Sequence, residues 1–215
     1  LKTTPDDRPS RISRGAPPKG KLNGRNYRKR AIDHLRRDFE DRCAYSLRHT
    51  LHAGKECMEI DHFNPTLGGS ARHQYRNLMW STRLCNNPKS DYWPTSGERK
   101  IGVRFLNPCE EWDYGVHIFE DPITHELVGK TPAGKFHIKI LRLNHETFVW
   151  ERRERAKLNE RLSKTHTFRG APFSEIQALI QEIKKGLEFR IPLIPYELTL
   201  LNPDNTEGEI ALTKA

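Results

Sequence analysis

Apolar residues in this chain come in short clusters, and that limits what it can fold into. No apolar run approaches the roughly 18 residues a membrane-crossing helix needs. Hydrophobic residues make up 35% of the 215 positions and the mean hydropathy is -0.81. Nine Phe, six Tyr and four Trp still permit a modest core, so the length fits one domain with extensions. The start, Leu1-Lys2-Thr3-Thr4-Pro5-Asp6-Asp7, lacks the apolar segment of a secretory signal. Four Cys are too few for a disulfide scaffold, and a reducing, cytoplasmic setting is the expectation.

The charge is uneven. Residues 1–30 hold ten Lys/Arg and two Asp, which is +8 of the formal +9. The same stretch has four Pro and three Gly and few apolar side chains. It is expected to form a flexible basic arm. Such an arm suits nucleic-acid phosphates; a merely solvated tail is the alternative.

Beyond the arm, Ile32, Leu35 and Phe39 recur at helical spacing and predict a helix over 31–43. Residues 43–63 suggest two short extended segments about the turn His52-Ala53-Gly54-Lys55, the second being Glu56–His62 with Met58 and Ile60 alternating. A loop over 64–74 and a short helix over 75–86 complete a hairpin–loop–helix reading. After Pro94 a loop to about 105 is expected, then a second hairpin over Val116–Phe119 and Glu126–Val128. Residues 133–143 fit strand or helix equally. A charged helix over 145–163 is expected to be solvated, with internal ion pairs. Another is expected over 174–185, and 187–215 reads as an irregular tail. The expected division is therefore an arm (1–30), a core (31–95), a C-terminal α/β extension packed on it (96–186) and the tail.

Some motifs fail on inspection. Gly15-Ala16-Pro17-Pro18-Lys19-Gly20-Lys21 has phosphate-loop spacing, but Leu22 follows where a hydroxyl is needed for Mg²⁺. His125-Glu126 and His145-Glu146 begin a zinc-protease pattern whose second His is missing.

Residues 43–94 carry the chemistry. Asp61-His62 stands at a predicted strand end, followed by Asn77-Leu78 and then Cys85-Asn86-Asn87-Pro88-Lys89. A carboxylate and an amide oxygen suit a hard cation such as Mg²⁺ or Mn²⁺. An adjacent imidazole can take a proton from water, a second amide can orient it, and a lysine can contact phosphate. Trp80 and Trp93 are expected to pack rather than stack on bases.

At these residues the chain resembles the HNH, or ββα-metal, nuclease family. The matching features are Cys43, Asp61-His62, Pro65-Thr66-Leu67-Gly68-Gly69, His73-x-Tyr75-x-Asn77-Leu78 and Cys85-Asn86-x-x-Lys89. The resemblance implies an α+β fold: a ββα-metal core with flanking helices and a small additional hairpin. It implies a metal-dependent endonuclease that hydrolyses DNA phosphodiesters with low sequence specificity. His62 is then the general base, and Asn77 orients it or supports the loop. Asp61 and Asn86 hold one Mg²⁺ or Mn²⁺. Lys89 contacts phosphate, His73 contacts phosphate, supports the loop or is a spare ligand, and Arg25, Arg28, Lys29 and Arg30 add affinity for DNA, with RNA also open. Residues 105–155 resemble the flank of HNH nucleases in bacterial anti-phage systems, where the nuclease accompanies an ATPase. Two other readings stay open: a catalytically silent nucleic-acid-binding module, and an effector that needs an ATPase or sensor partner.

The chain departs from the family at Cys43-x-x-Ser46 and Thr82-x-x-Cys85, where many members carry Cys-x-x-Cys pairs around zinc. A closed zinc site needs four ligands. Cys57, His49 or His52 would have to complete it, so structural zinc is not expected. Cys43 and Cys85 are expected to be small buried residues, and Cys109 has no assigned partner.

Overall fold

The computed structural model describes residues 12–165, with side chains through Lys157. The fold is mixed α+β, with two separate two-stranded antiparallel sheets among helices. The helix expected over 174–185, the tail, and the arm's first eleven residues lie outside the described residues.

Helix α1 (Tyr27–Asp38) starts four residues before the expected 31 and buries Tyr27, Ala31 and Leu35. These fall on one face at four-residue spacing. The stretch before it differs from a flexible arm. Residues 12–26 have no regular structure but lie on the core, with Pro18 and Leu22 buried. Arg14 donates to the Leu78 carbonyl at 2.7 Å and the Tyr75 carbonyl at 3.2 Å, and sits 5.1 Å and 5.2 Å from the Phe39 and Tyr75 ring centres. Arg14 is thus a strut within the fold.

The expected first extended segment does not form. Residues 42–49 make a tight turn closed by an Arg42–His49 bridge, followed by the single turn α2 (Thr50–Ala53). Strand β1 (Met58–His62) forms where expected. A loop containing the short α3 (Gly69–Arg72) leads to β2 (Leu78–Thr82), which pairs with β1 from Met58↔Thr82 to His62↔Leu78. Helix α4 (Arg83–Lys89) follows directly. The helix expected over 75–86 is thus a strand followed by a later helix. All five β2 residues are buried, and a strand buried on both faces shows no alternation to read.

Helix α5 (Ser96–Lys100) replaces the loop expected after Pro94. Its start was legible: Thr95 and Glu98 form a reciprocal capping box. The second hairpin stands as expected, shifted by a residue or two, as β3 (Ile118–Glu120) with β4 (Leu127–Gly129). The ambiguous 133–143 stretch is helix α6 (Pro132–Ile140), capped by Thr131 with Pro132 at its first turn. It lies almost on the hairpin backbone. A Cβ on Gly134 would stand 2.2 Å from the His117 carbonyl oxygen, and one on Gly129 2.2 Å from the Lys135 nitrogen.

Helix α7 (Glu146–Thr165) forms as expected, but some of its charges face inward. Arg152 is buried and binds the Leu143 and His125 carbonyls, Arg155 pairs with buried Glu120, and Glu151 pairs with Arg48 at 2.8 Å. Within the helix, Lys157 pairs with Glu154 at 2.8 Å. One hydrophobic cluster runs from Leu22 to Phe148, so the extension shares its core with the first half. Trp80 is buried and Trp93 packs between Phe63 and Phe105. Among the described residues, no helix is long and apolar enough to cross a membrane.

Candidate active site

The two-residue period of β1 puts Glu59 and Asp61 on one face. Arg83, Asn86 and Lys89 recur at three-residue spacing and share one side of α4. The two sets meet. Lys89 Nζ donates to Asp61 Oδ1 at 2.9 Å, Asn86 Nδ2 donates to Glu59 Oε2 at 2.7 Å, and Arg83 pairs with Glu59 Oε1. Beside this seam a cleft of about 620 Å³ opens between α1 and α4. It is lined by Tyr27, Arg28, Glu59, Asp61, His62, Arg72, Arg83 and Asn86 among others.

Asp61 is 3% exposed and Lys89 has no exposed surface. Lys89 also donates to the His62 carbonyl at 2.8 Å, and its ammonium lies 5.5 Å from the Phe105 ring centre. The Tyr45 hydroxyl donates to Asp61 Oδ2 at 2.5 Å. Burial, then the Asp61 carboxylate, push the Tyr45 phenol well above its ordinary pKa, so it remains a donor. Lys89 is therefore not a phosphate contact. It is a buried counter-ion that ties β1 to α4, and a bare lysine could not be buried without such a partner.

His62 is half-buried at the end of β1. Its Nε2 lies 3.1 Å from His73 Nδ1. Tyr27 stacks on His73 at 4.8 Å and tilts against His62 at 5.1 Å. Burial, then Arg72, His73, Lys89 and Arg28, lower the His62 pKa to about 4, so the imidazole is neutral at pH 7. The Asn77 side chain hydrogen-bonds elsewhere. Asn77 is buried and staples the loop: Nδ2 donates to the Asn64 and Arg72 carbonyls at 3.1 Å and 2.9 Å, and Oδ1 accepts from Asn64 N at 2.9 Å. Of its two expected roles Asn77 takes loop support, and the residue that orients His62 is His73.

The donors in the cleft suit a hard divalent cation. Asp61 accepts one hydrogen bond at each oxygen, and a carboxylate has about four lone-pair sites. Asn86 is engaged through its nitrogen, which leaves the amide oxygen as a donor to metal. Glu59 adds a second carboxylate. Among the described residues no three of His, Cys, Asp and Glu converge as a metal-holding group, so an ion here would draw on the Asn86 amide and water, as Mg²⁺ commonly does.

Positions 43, 46, 82 and 85 do come together, without four thiolates. Cys43 Sγ accepts from Thr82 N at 3.3 Å, Ser46 N at 3.5 Å and the Thr82 hydroxyl at 3.7 Å. Cys85 is buried beside it, and burial pushes its thiol pKa up. Hydrogen bonds to Cys43 Sγ hold this junction.

Of the expected nucleic-acid contacts, Arg28 lines the cleft; Arg25, Lys29 and Arg30 are not among its lining residues, and Arg30 donates to the Lys21 carbonyl at 3.3 Å. Sequence reasoning missed Glu59, Tyr45, Arg72 and Arg83. The strand period through Asp61 and the helix period through Asn86 pointed to Glu59 and Arg83; nothing local pointed to Tyr45. Comparison with protein-family models, curated proteins and solved structures gives no match.

Proposed function

We propose that this protein is a metal-dependent endonuclease of the HNH type, with β1, β2 and α4 as its ββα-metal unit and DNA as its substrate. The observation that carries the reading is the cleft shared by Asp61, His62 and Asn86, on a strand–loop–strand–helix unit in the order the resemblance implies.

His62 is the base. The tautomer with its proton on Nε2 donates to His73 Nδ1 and leaves His62 Nδ1 to accept from water. As the water oxygen bonds to phosphorus, its proton passes to that nitrogen, and the bond to the 3′ oxygen breaks. A neutral imidazole is required for this, and burial with surrounding cations keeps His62 neutral. Asp61 and Asn86, with Glu59 beside them, would hold the cation. When bound, the ion supplies positive charge to the phosphoryl and leaving oxygens. Lys89 and Tyr45 keep the Asp61 carboxylate in one orientation, and His73 does the same for His62.

Incubation of supercoiled plasmid with the protein tests this. Nicking or linearisation is expected with Mg²⁺ or Mn²⁺ and none with EDTA. The broken bond leaves 3′-hydroxyl and 5′-phosphate ends, so DNA ligase is expected to reseal the nicks directly. Cleavage undiminished by EDTA, or ends that ligase cannot join, would contradict the reading.

A further inference from the structure

We propose that Arg28 and Arg72 are the phosphate clamp of the cleft, holding the nucleic-acid backbone across His62, in place of Lys89 and the remaining cations of the N-terminal stretch. The proposal rests on the nuclease reading for its ligand but on separate residues for its argument. Both arginines line the cleft from different elements, Arg28 from α1 and Arg72 from the end of α3. Both share that cleft with His62.

Each has guanidinium hydrogens to give. Arg28 is exposed, and its Nε donates to the Tyr27 hydroxyl at 3.0 Å; it forms no salt bridge among the described residues. Arg72 pairs at 3.2 Å with Asp91, whose side chain is 80% exposed. Exposed pairs of that kind contribute little, so a phosphate can replace Asp91 at little cost. Three other cations are committed. Lys89 is buried on Asp61 and the His62 carbonyl, Arg83 is held by Glu59, and Arg14 is folded under the core.

Counterion release gives a readout independent of catalysis. Each phosphate contact contributes about 0.9 to the slope of log K against log salt for duplex DNA, and about 0.7 for single strands. Binding of a labelled DNA duplex and of a single-stranded RNA would be followed by anisotropy across a salt series, in the His62→Ala background so that no cleavage intervenes. Arg28→Gln and Arg72→Gln are each expected to weaken binding and to lower the duplex slope by about 0.9, with unchanged thermal melts because both side chains reach solvent. Lys29→Gln, beside Arg28 but outside the cleft, is expected to change the slope less. Slopes unchanged by both arginine variants would overturn the clamp; with metal-dependent cleavage intact, the nuclease reading would survive it. Altered slopes without any cleavage by the wild type would support the clamp and sink the catalytic reading. A slope change confined to the RNA would keep the clamp and reassign its substrate.

Discussion

Lys89 donates to Asp61 and to the His62 carbonyl from a position with no exposed surface, so its charge acts on the protein itself. Replacing it by Met strands a buried carboxylate, and loss of one partner of such a pair costs on the order of 3–5 kcal/mol. Lys89→Met is therefore expected to lower the urea midpoint sharply, and adding Asp61→Asn to recover part of the loss because the stranded charge is removed. A single variant as stable as wild type would show that the pair does not hold the site. At this scale Asp61, His62 and Asn86 were legible, because their types and spacing suit the chemistry within one short segment. Lys89 was misassigned because lysine is almost always exposed, and its burial depends on a partner twenty-eight residues away. Glu59 was passed over because Met58 and Ile60 drew the strand reading, although its own alternation with Asp61 marks the opposite face.

Elements meet here at close quarters, and two of the junctions were only half legible. Strand β1 was readable from its alternation; β2 was not, since α1 and α4 both pack on it and erase the polar face. Helix α6 left Thr131-Pro132 as a start signal, but its β-branched run at Ile138 and Ile140 suits a strand equally. What settles it is Gly134, where α6 rests on the His117 carbonyl. Gly134→Ala is expected to destabilise by roughly 1–3 kcal/mol, since a methyl there forces the helix off the hairpin. Gly68→Ala is the control: nothing lies within 4 Å of its Cβ position and its φ of -88° is ordinary. Equal melting temperatures for the two variants would contradict the close packing.

For the whole molecule, charge is distributed differently from the reading of composition alone. The basic N-terminal stretch is partly structural: Arg14 braces the core and only Arg28 of the named arginines and lysine reaches the cleft. Helix α7 turns Arg152 and Arg155 inward, because Glu120 and backbone carbonyls await them; those partners are distant in sequence and no local pattern announces them. What remains is one cleft in which a neutral imidazole, two carboxylates, an amide oxygen and two available arginines stand together. The measurement that tests this most directly is single-turnover plasmid cleavage with Mg²⁺ by His62→Ala beside the wild type, with DNA affinity measured on the same preparations. The expected result is a rate lower by about 10²–10⁴, the usual contribution of a general base, with affinity unchanged within a factor of a few. Wild-type cleavage that persists at full rate in His62→Ala would contradict the assignment of the base and with it the proposed site.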